Sequence, residues 1–296
     1  MMAGALPDSP LARIDPNTAT SPWTGVGSVV VSGGSFSGVV VAPRFVLTAS
    51  HVTAGAPPSA IQFVLNIGGN QTHTIAAQSV TYYPNANFPY DDLALIELAT
   101  PLPGGVTIYP LARTALTIGQ RIKLVGYGAS GYGDVGSSVG GASSVRRTGD
   151  NIVDIIQTTL DSSGRTGLFY IYDFDGPSGA GSMGGATLGN AVETIVASGD
   201  SGGPAFIGTP GNYRLAGINT FLTTLNGQPL DSRFGSIGGG VVLSKPEYLQ
   251  WIDATTGYTT PGNEYADAPT LPEWAVLLGI CLLGGMMWRR GHAPVA

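Results

Sequence analysis

Short β-branched segments, each ended by glycine or another turn-forming residue, are the feature that most constrains how this chain folds. Glycine and proline supply 45 and 21 of the 296 residues, well above their average combined share of about 12%, and no Gly-X-Y period accompanies them. This pattern is typical of an all-β domain with many turns. Nine segments are predicted as strands: Gly27–Val31, Gly38–Val41, Phe45–Thr48, Ile61–Ile67, Thr74–Tyr82, Leu93–Leu98, Arg121–Gly126, Tyr213–Phe221 and Gly240–Leu243.

One helix and one long loop region complete the predicted secondary structure. Lys245–Thr255 is expected to be helical, because Ser244 and Glu247 have the spacing of a capping box and apolar residues follow at helical intervals. Gly128–Asn190 is rich in glycine and serine, so we expect loops to dominate there.

Charge and cysteine content exclude several classes of function. Charged residues make up 11% of the chain and the net charge is −6, so neither charge-rich disorder nor nucleic-acid binding is expected. The single cysteine, Cys281, leaves no partner for an intrachain disulfide and no thiolate metal cluster. We expect no cofactor and no bound metal.

Three short segments carry the functional hypothesis: Leu47–Val52 (L-T-A-S-H-V), Asp91–Leu98 (D-D-L-A-L-I-E-L) and Gly199–Pro204 (G-D-S-G-G-P). Taken alone, a histidine after an apolar strand or an aspartate before a strand is usually structural. The third segment differs, because its glycines leave the hydroxyl of Ser201 open and let backbone N–H groups form an anion-binding concavity. An oxyanion hole needs such an arrangement.

Together these segments resemble the T-A-x-H, D-L-A-L and G-D-S-G-G-P signatures of the chymotrypsin/trypsin-like serine protease family. They follow in the family's order, and the resemblance covers about Gly25–Thr256. It implies an all-β fold of two six-stranded antiparallel β-barrels with the site in the cleft between them. A short C-terminal helix closes this domain, and an apolar, transmembrane-like helix is expected near the end of the chain.

The resemblance and the chemistry of acyl transfer assign the catalytic roles. A serine hydroxyl needs a nearby base that removes its proton during attack, so Ser201 is the predicted nucleophile and His51 the predicted base. Asp92 is expected to hold the other ring nitrogen of His51. It is preferred to Asp91 because it directly precedes the Leu-Ala-Leu segment. The backbone N–H groups of Gly199 and Ser201 are the predicted oxyanion hole.

Other readings of the same residues are weaker. His73 lacks the T-A-x-H context, and His292 lies beyond the apolar tail. Gly199–Gly203 also fits the G-x-S-x-G nucleophile elbow of α/β-hydrolases, but that fold needs an acid and then a histidine after the serine. Only His292 follows Ser201. The alternative function is a catalytically silent surface module of the same fold that binds peptide.

Activation and specificity are predicted only through the resemblance. The family's usual I-V-G-G start is missing, but a cut after Arg13 would free the amine of Ile14 to pair with Asp200. The residues expected at the specificity pocket are Ile195, Thr220, Phe221 and Gly240. Because Ile195 is not an acid, we expect a small or medium apolar side chain before the cut rather than Arg or Lys. The loop Gly68–Ala86 lacks the acids of the family's calcium loop.

A second resemblance concerns the C-terminus. Ala268–Trp274 (A-P-T-L-P-E-W) is similar to the I-P-T-L-S-E-W signature of the IPTL-CTERM sorting tail, and the apolar stretch Trp274–Trp288 and two arginines follow it. This resemblance implies an exported protein of a Gram-negative bacterium and a sorting protease that processes the tail. As a helix the stretch spans roughly 22 Å, so flanking Trp and Arg side chains would extend its reach across the membrane. A buried C-terminal helix is the competing interpretation.

These observations combine into one hypothesis. Residues 1–20 are predicted to be a leader or activation segment, 21–256 a trypsin-like protease domain, 257–270 a linker and 271–296 a sorting or transmembrane tail. The chain is expected to be a serine endopeptidase that acts on polypeptides through an acyl-enzyme. We expect it at the cell envelope, held in the membrane through Trp274–Trp288, or outside the cell after the tail is processed. Its export signal is expected upstream of Met1.

Overall fold

A computed structural model of the chain describes residues 1–160, 166–179, 181–225 and 227–258. The described residues belong to one compact unit, Met1–Pro261. The predicted sorting tail, including Trp274–Trp288, lies outside the described residues. Within the described ranges there are fifteen strands and no helix that is long and apolar enough to cross a membrane.

The first half of the chain forms a closed barrel of six antiparallel strands in the order β1-β2-β3-β6-β5-β4. The strands are β1 (Val26–Val31), β2 (Gly34–Ala42), β3 (Phe45–Thr48), β4 (Ile61–Leu65), β5 (His73–Tyr82) and β6 (Ala94–Leu98). Apolar residues such as Val29, Leu47 and Phe63 fill its core. Gly27 lets the Phe63 ring approach the backbone, because a Cβ at position 27 would lie 2.4 Å from that ring. The prediction of a first six-stranded barrel is confirmed.

The second half forms a seven-stranded antiparallel sheet in the order β10-β7-β13-β14-β15-β12-β11, and a separate hairpin of β8 and β9. The strands are β7 (Arg121–Gly126), β8 (Ser130–Tyr132), β9 (Gly136–Val139), β10 (Arg147–Ile152), β11 (Ile155–Leu160), β12 (Thr166–Asp173), β13 (Pro204–Ile207), β14 (Arg214–Thr223) and β15 (Ile237–Val242). Each of the nine predicted strands overlaps a strand of the structure.

The structure has a seven-stranded antiparallel sheet where a second closed six-stranded barrel was predicted. Its two edge strands follow one another in the chain, because only two residues separate the end of β10 at Ile152 from the start of β11 at Ile155. This segment pairs with β7 through its first part and with β12 through its second. The outer edge of β10 also forms single bridges with distant segments, Arg147 with Ile14 and Asp150 with Glu193.

The prediction that loops dominate Gly128–Asn190 missed the five strands β8 to β12, which lie within it. The reason is visible in β10, whose polar side chains are buried but hydrogen-bonded. The Arg147 guanidinium donates to Gly128 O over 2.7 Å, and Asn151 Nδ2 donates to Asp173 O over 2.8 Å. Polar residues can occupy a buried strand when distant backbone groups satisfy them, and no local apolar pattern reveals such a strand.

Two short α-helices position residues near the site: α1 (Ser50–Thr53) and α2 (Pro246–Thr256). The helix predicted at Lys245–Thr255 is confirmed, and Tyr248, Leu249 and Ile252 bury its apolar face. The predicted capping box is not formed, because the N-cap is Lys245 and no side chain caps the helix there. α2 ends at Gly257, whose φ of 59° is left-handed, as is common at helix C-termini.

The N-terminal residues pack against the second sheet. Met1, Met2 and Ala3 are fully buried, and Pro10–Arg13 forms a short 3-10 helix. The Arg13 guanidinium ties this segment down, since it pairs with Asp8 over 2.5 Å and donates to Glu193 O over 3.0 Å. The packing holds the Met1 amine in the interior.

Candidate active site

His51 and Asp92 meet because two neighbouring strands of the barrel lead into them. α1 begins two residues after β3 ends, and Asp92 lies two residues before β6 begins. β3 and β6 are antiparallel with Thr48 opposite Ala94, so the residue after one strand lies beside the residue before the other. The structure places His51 Nδ1 2.6 Å from Asp92 Oδ2. With the proton on Nδ1, the neutral ring has Nε2 free to accept one.

Asp92 is a buried carboxylate with three donors. Its side chain is fully buried. Ser50 Oγ donates to Oδ1 over 2.6 Å and the backbone N–H of His51 donates to the same oxygen over 2.9 Å. Oδ2 is left to face the imidazole. These hydrogen bonds compensate the carboxylate for the water it loses on burial.

The neighbouring aspartate faces another element. Asp91 has a left-handed φ of 50°, a conformation that Asp tolerates better than most residues. Tyr248 Oη of α2 donates to Asp91 Oδ1 over 2.5 Å, and Lys245 Nζ lies 3.5 Å from that oxygen. The two adjacent carboxylates therefore have separate partners, and Asp92 is the one that contacts His51.

The loop that carries Ser201 is fixed by glycines and by Ser37. Gly199 and Gly202 have left-handed φ values of 91° and 79°, which glycine adopts without strain. Ser37 holds the loop from β2, because its hydroxyl donates to Gly199 O over 3.0 Å and its N–H donates to Ser201 O over 3.0 Å.

Two backbone donors of this loop are left over. The N–H groups of Asp200, Gly202 and Gly203 are used in backbone hydrogen bonds. In the part of the chain that the structure describes, the N–H groups of Gly199 and Ser201 donate to no protein acceptor. These are the two groups that the sequence predicts for the oxyanion hole, and they are available to an external anion.

The Ser201 loop lies against the start of α1. A Cβ on Gly202 would be 2.0 Å from Thr48 Oγ1 and 3.0 Å from Ala49 N, so only glycine allows this approach. Among the described residues no hydrogen bond joins Ser201 Oγ to the ring of His51. Such contacts between nucleophile and base are often long in free enzymes and shorten when substrate binds.

Asp200 forms a buried ion pair with the N-terminal amine of Met1. The Met1 nitrogen lies 2.8 Å from Asp200 Oδ2 and donates over 2.8 Å to Ala129 O. Gly128 N and Ala197 N also donate to the Asp200 carboxylate, over 2.8 and 2.9 Å. Burial lowers the pKa of the Met1 amine, and the Asp200 charge opposes that shift.

Ile14, the residue predicted to supply this amine after a cut, is elsewhere in the uncut chain. Its side chain is partly exposed, its backbone N–H donates to Leu11 O, and it forms a bridge with Arg147. The partner that the structure gives to Asp200 is therefore Met1. The sequence offered no signal for this, because Met1–Ala3 has no motif and is recognised only by its burial.

A cavity of about 360 Å³ adjoins Ser201. Thr220 and Phe221, both predicted for the specificity pocket, line it, together with Val196 and Ser198. Leu230, Asp231 and Ser232 also line it, and none of them was predicted from the sequence.

Two other residues predicted for this pocket are not part of its lining. Ile195 is fully buried in the core of the second sheet. A Cβ on Gly240 would lie 1.9 Å from Ile218 O. Glycine at position 240 therefore serves close packing of β14 and β15 rather than an open pocket wall.

A second cavity of about 370 Å³ lies beside the first and shares Phe221 and Leu222 with it. Aromatic rings dominate its lining, with Phe88, Tyr90 and Phe169 as the other contributors. Phe88 also packs edge-on against the His51 ring, with the ring centroids 5.3 Å apart. An extended peptide at Ser201 would thus meet an apolar surface next to the base.

Comparison with known proteins agrees with this architecture. A family model described as Trypsin matches residues 15–159, a range that includes His51 and Asp92 and ends before Ser201. No curated protein matches the chain. The family match, the closed barrel and the second sheet support a chymotrypsin/trypsin-like serine protease. The same findings support serine peptidase activity on polypeptide substrates.

Proposed function

We propose that the chain is a serine endopeptidase that uses Ser201 as nucleophile, His51 as base and Asp92 as the partner of the base. The contact of 2.6 Å between His51 Nδ1 and Asp92 Oδ2 carries this proposal, because it sets the tautomer in which Nε2 can accept a proton. The unused N–H groups of Gly199 and Ser201 provide further support.

Catalysis would proceed in two halves. Nε2 of His51 takes the proton of Ser201 Oγ while the oxygen attacks the carbonyl carbon of the scissile peptide bond. The N–H groups of Gly199 and Ser201 bind the resulting oxyanion. His51 then gives its proton to the leaving nitrogen, the C–N bond breaks, and an ester on Ser201 remains. Water attacks that ester with the same base, releases the acid and restores Ser201.

Replacing Ser201 with alanine tests the proposal directly. The intact chain is expected to react covalently with a fluorophosphonate probe and to hydrolyse peptides. Ser201→Ala should lose all labelling and at least about a thousandfold in kcat, because no other group provides the nucleophile. Intact-protein mass spectrometry and peptide hydrolysis measure the two effects.

His73→Ala is the matched control, because the His73 side chain is exposed and, among the described residues, its ring hydrogen-bonds only to the neighbouring Thr72. It should label like the parent chain. If the parent chain does not label under conditions in which its fold is intact, the enzyme proposal fails and the silent peptide-binding module is favoured.

The cavities support a proposal about specificity. Val196, Phe221 and Leu222 contribute apolar surface to the first cavity. The acid in its lining, Asp231, is already paired with Arg233, so we propose cleavage after small or medium apolar residues. The aromatic second cavity would take a larger apolar side chain further upstream in the substrate.

Cleavage-site profiling on a peptide mixture checks this preference. Val196→Ala enlarges the first cavity, and its profile is expected to shift toward larger side chains by about tenfold. Val135→Ala, at an exposed position, should leave the profile unchanged. A parent profile dominated by Arg and Lys would contradict the proposal.

We also propose that the protein is exported and is tethered by, or sorted through, its C-terminal tail. The similarity of Ala268–Trp274 to a sorting signature and the apolar stretch Trp274–Trp288 support this proposal. Fractionation of cells that express the chain with and without residues 271–296 would assign the compartment.

A further inference from the structure

Ser50 is a buried hydroxyl in contact with the catalytic carboxylate, and the mechanism above gives it no role. It is 5% exposed and opens α1, directly before His51. Its Oγ donates to Asp92 Oδ1 over 2.6 Å, as short as the contact between Asp92 and the imidazole. A hydroxyl bound to a carboxylate at this distance forms a strong, charge-assisted hydrogen bond.

The position of this bond determines how the carboxylate can lie. Ser50 Oγ and the N–H of His51 both donate to Oδ1, so rotation of the carboxylate would break two bonds at once. Oδ2 therefore stays directed at Nδ1 of His51. The backbone N–H alone would hold Oδ1 through a single bond.

Another buried hydroxyl of the site behaves differently. Thr220 lines the first cavity and is 3% exposed, and its Oγ1 makes no hydrogen bond among the described residues. Of these two buried hydroxyls, only that of Ser50 binds the Asp92 carboxylate.

We propose that Ser50 is a positioning residue of this protease. It orients Asp92 and withdraws part of the carboxylate charge from His51, an inference that rests on the proposed function. When the hydroxyl is removed, the carboxylate has one donor fewer and becomes more basic. It then stabilises the imidazolium more strongly, so the base stays protonated up to a higher pH.

Ser50→Ala is the test variant. We expect kcat to fall about tenfold with KM little changed, because one hydrogen bond to a charged group is lost. The acid limb of kcat/KM should move to higher pH by about half a unit. The titration of the His51 ring, followed by NMR in the intact chain, should move in the same direction, and it needs no turnover.

Two further variants make the result specific. Ser50→Thr keeps a hydroxyl, so its kcat and the acid limb of its kcat/KM profile should match those of the parent chain. Thr220→Ala removes a hydroxyl that bonds to nothing and should leave the His51 titration in place. Thermal unfolding midpoints of all three variants show whether each one folds.

The proposal is overturned if folded Ser50→Ala titrates and turns over like the parent chain. It is also overturned if Ser50→Ala and Thr220→Ala shift the His51 titration equally. Failure of the proposed function is a separate result, because it appears as an inactive parent chain while the NMR titration still reports on Ser50.

Discussion

Asp92→Asn is expected to lower kcat about ten-thousandfold, the size of the effect that the general triad mechanism assigns to this position. The structure gives a specific reason. Ser50 Oγ and His51 N donate to Oδ1, so the amide oxygen of the asparagine must take that place. Its NH₂ group then faces Nδ1 of His51, which must accept a hydrogen bond instead of donating one. The proton moves to Nε2, and the ring can no longer act as a base toward Ser201.

Asp91→Asn is the matched control for this experiment. Asp91 is adjacent in sequence and also buried, but it contacts Tyr248 of α2 and Lys245, the residue before that helix. An amide oxygen can still accept the Tyr248 hydrogen bond, so kcat should stay within a few-fold of the parent value. Steady-state kinetics with circular dichroism measures activity and fold together. Loss of activity in Asp91→Asn but not in Asp92→Asn would contradict the proposal, because it would show that Asp91 is the carboxylate that catalysis needs.

The strands and the His-Asp pair were predictable because their signals are local. Phe45–Thr48 and Arg121–Gly126 were predicted with the ends that the structure has, since short β-branched runs between turns identify buried strands. The three motif segments predicted the candidate catalytic residues, and the position of Asp92 directly before Leu-Ala-Leu identified it as the partner of His51. Both kinds of signal depend on residues close together in the chain.

The features that could not be predicted depend on distant partners. β10 contains Arg147 and Asn151, which are buried only because Gly128 O and Asp173 O satisfy them. The outer edge of β10 is bridged by Ile14 and Glu193, which are distant from it in the sequence. No pattern within those segments indicates such partners, so β10 was not predicted as a strand.

The lining of the first cavity was predicted in part for a related reason. Thr220 and Phe221 belong to β14, a strand that was predicted from its own sequence. Ile195 was assigned to the cavity by counting back from Ser201, but the chain bends between them and Val196 takes the place on the lining. A shift of one residue moves a side chain from the cavity to the core.

Asp200→Asn is expected to have the second large effect, on stability and on activity together. Asp200 and the Met1 ammonium are both fully buried. Removing one member of a buried ion pair leaves the other charge without compensation, which typically costs about 3–5 kcal/mol. Urea unfolding should therefore show a large decrease in the free energy of unfolding.

Glu97→Gln is the control for this stability measurement. Glu97 pairs with Arg44 over 3.7 Å at a partly exposed position, and such pairs contribute about 1 kcal/mol or less. A decrease of similar size in both variants would contradict the importance of burial.

Asp200→Asn should also reduce kcat by about a hundredfold to a thousandfold, which is the cost of losing one oxyanion donor. Asp200 lies between Gly199 and Ser201, and its carboxylate accepts hydrogen bonds from Gly128 N and Ala197 N. An asparagine has one accepting oxygen, so at least one of these anchors is lost and its NH₂ group faces a donor. The loop then loses the geometry in which the N–H groups of Gly199 and Ser201 converge. A stable Asp200→Asn variant with the kcat of the parent chain would show that the ion pair serves the fold alone.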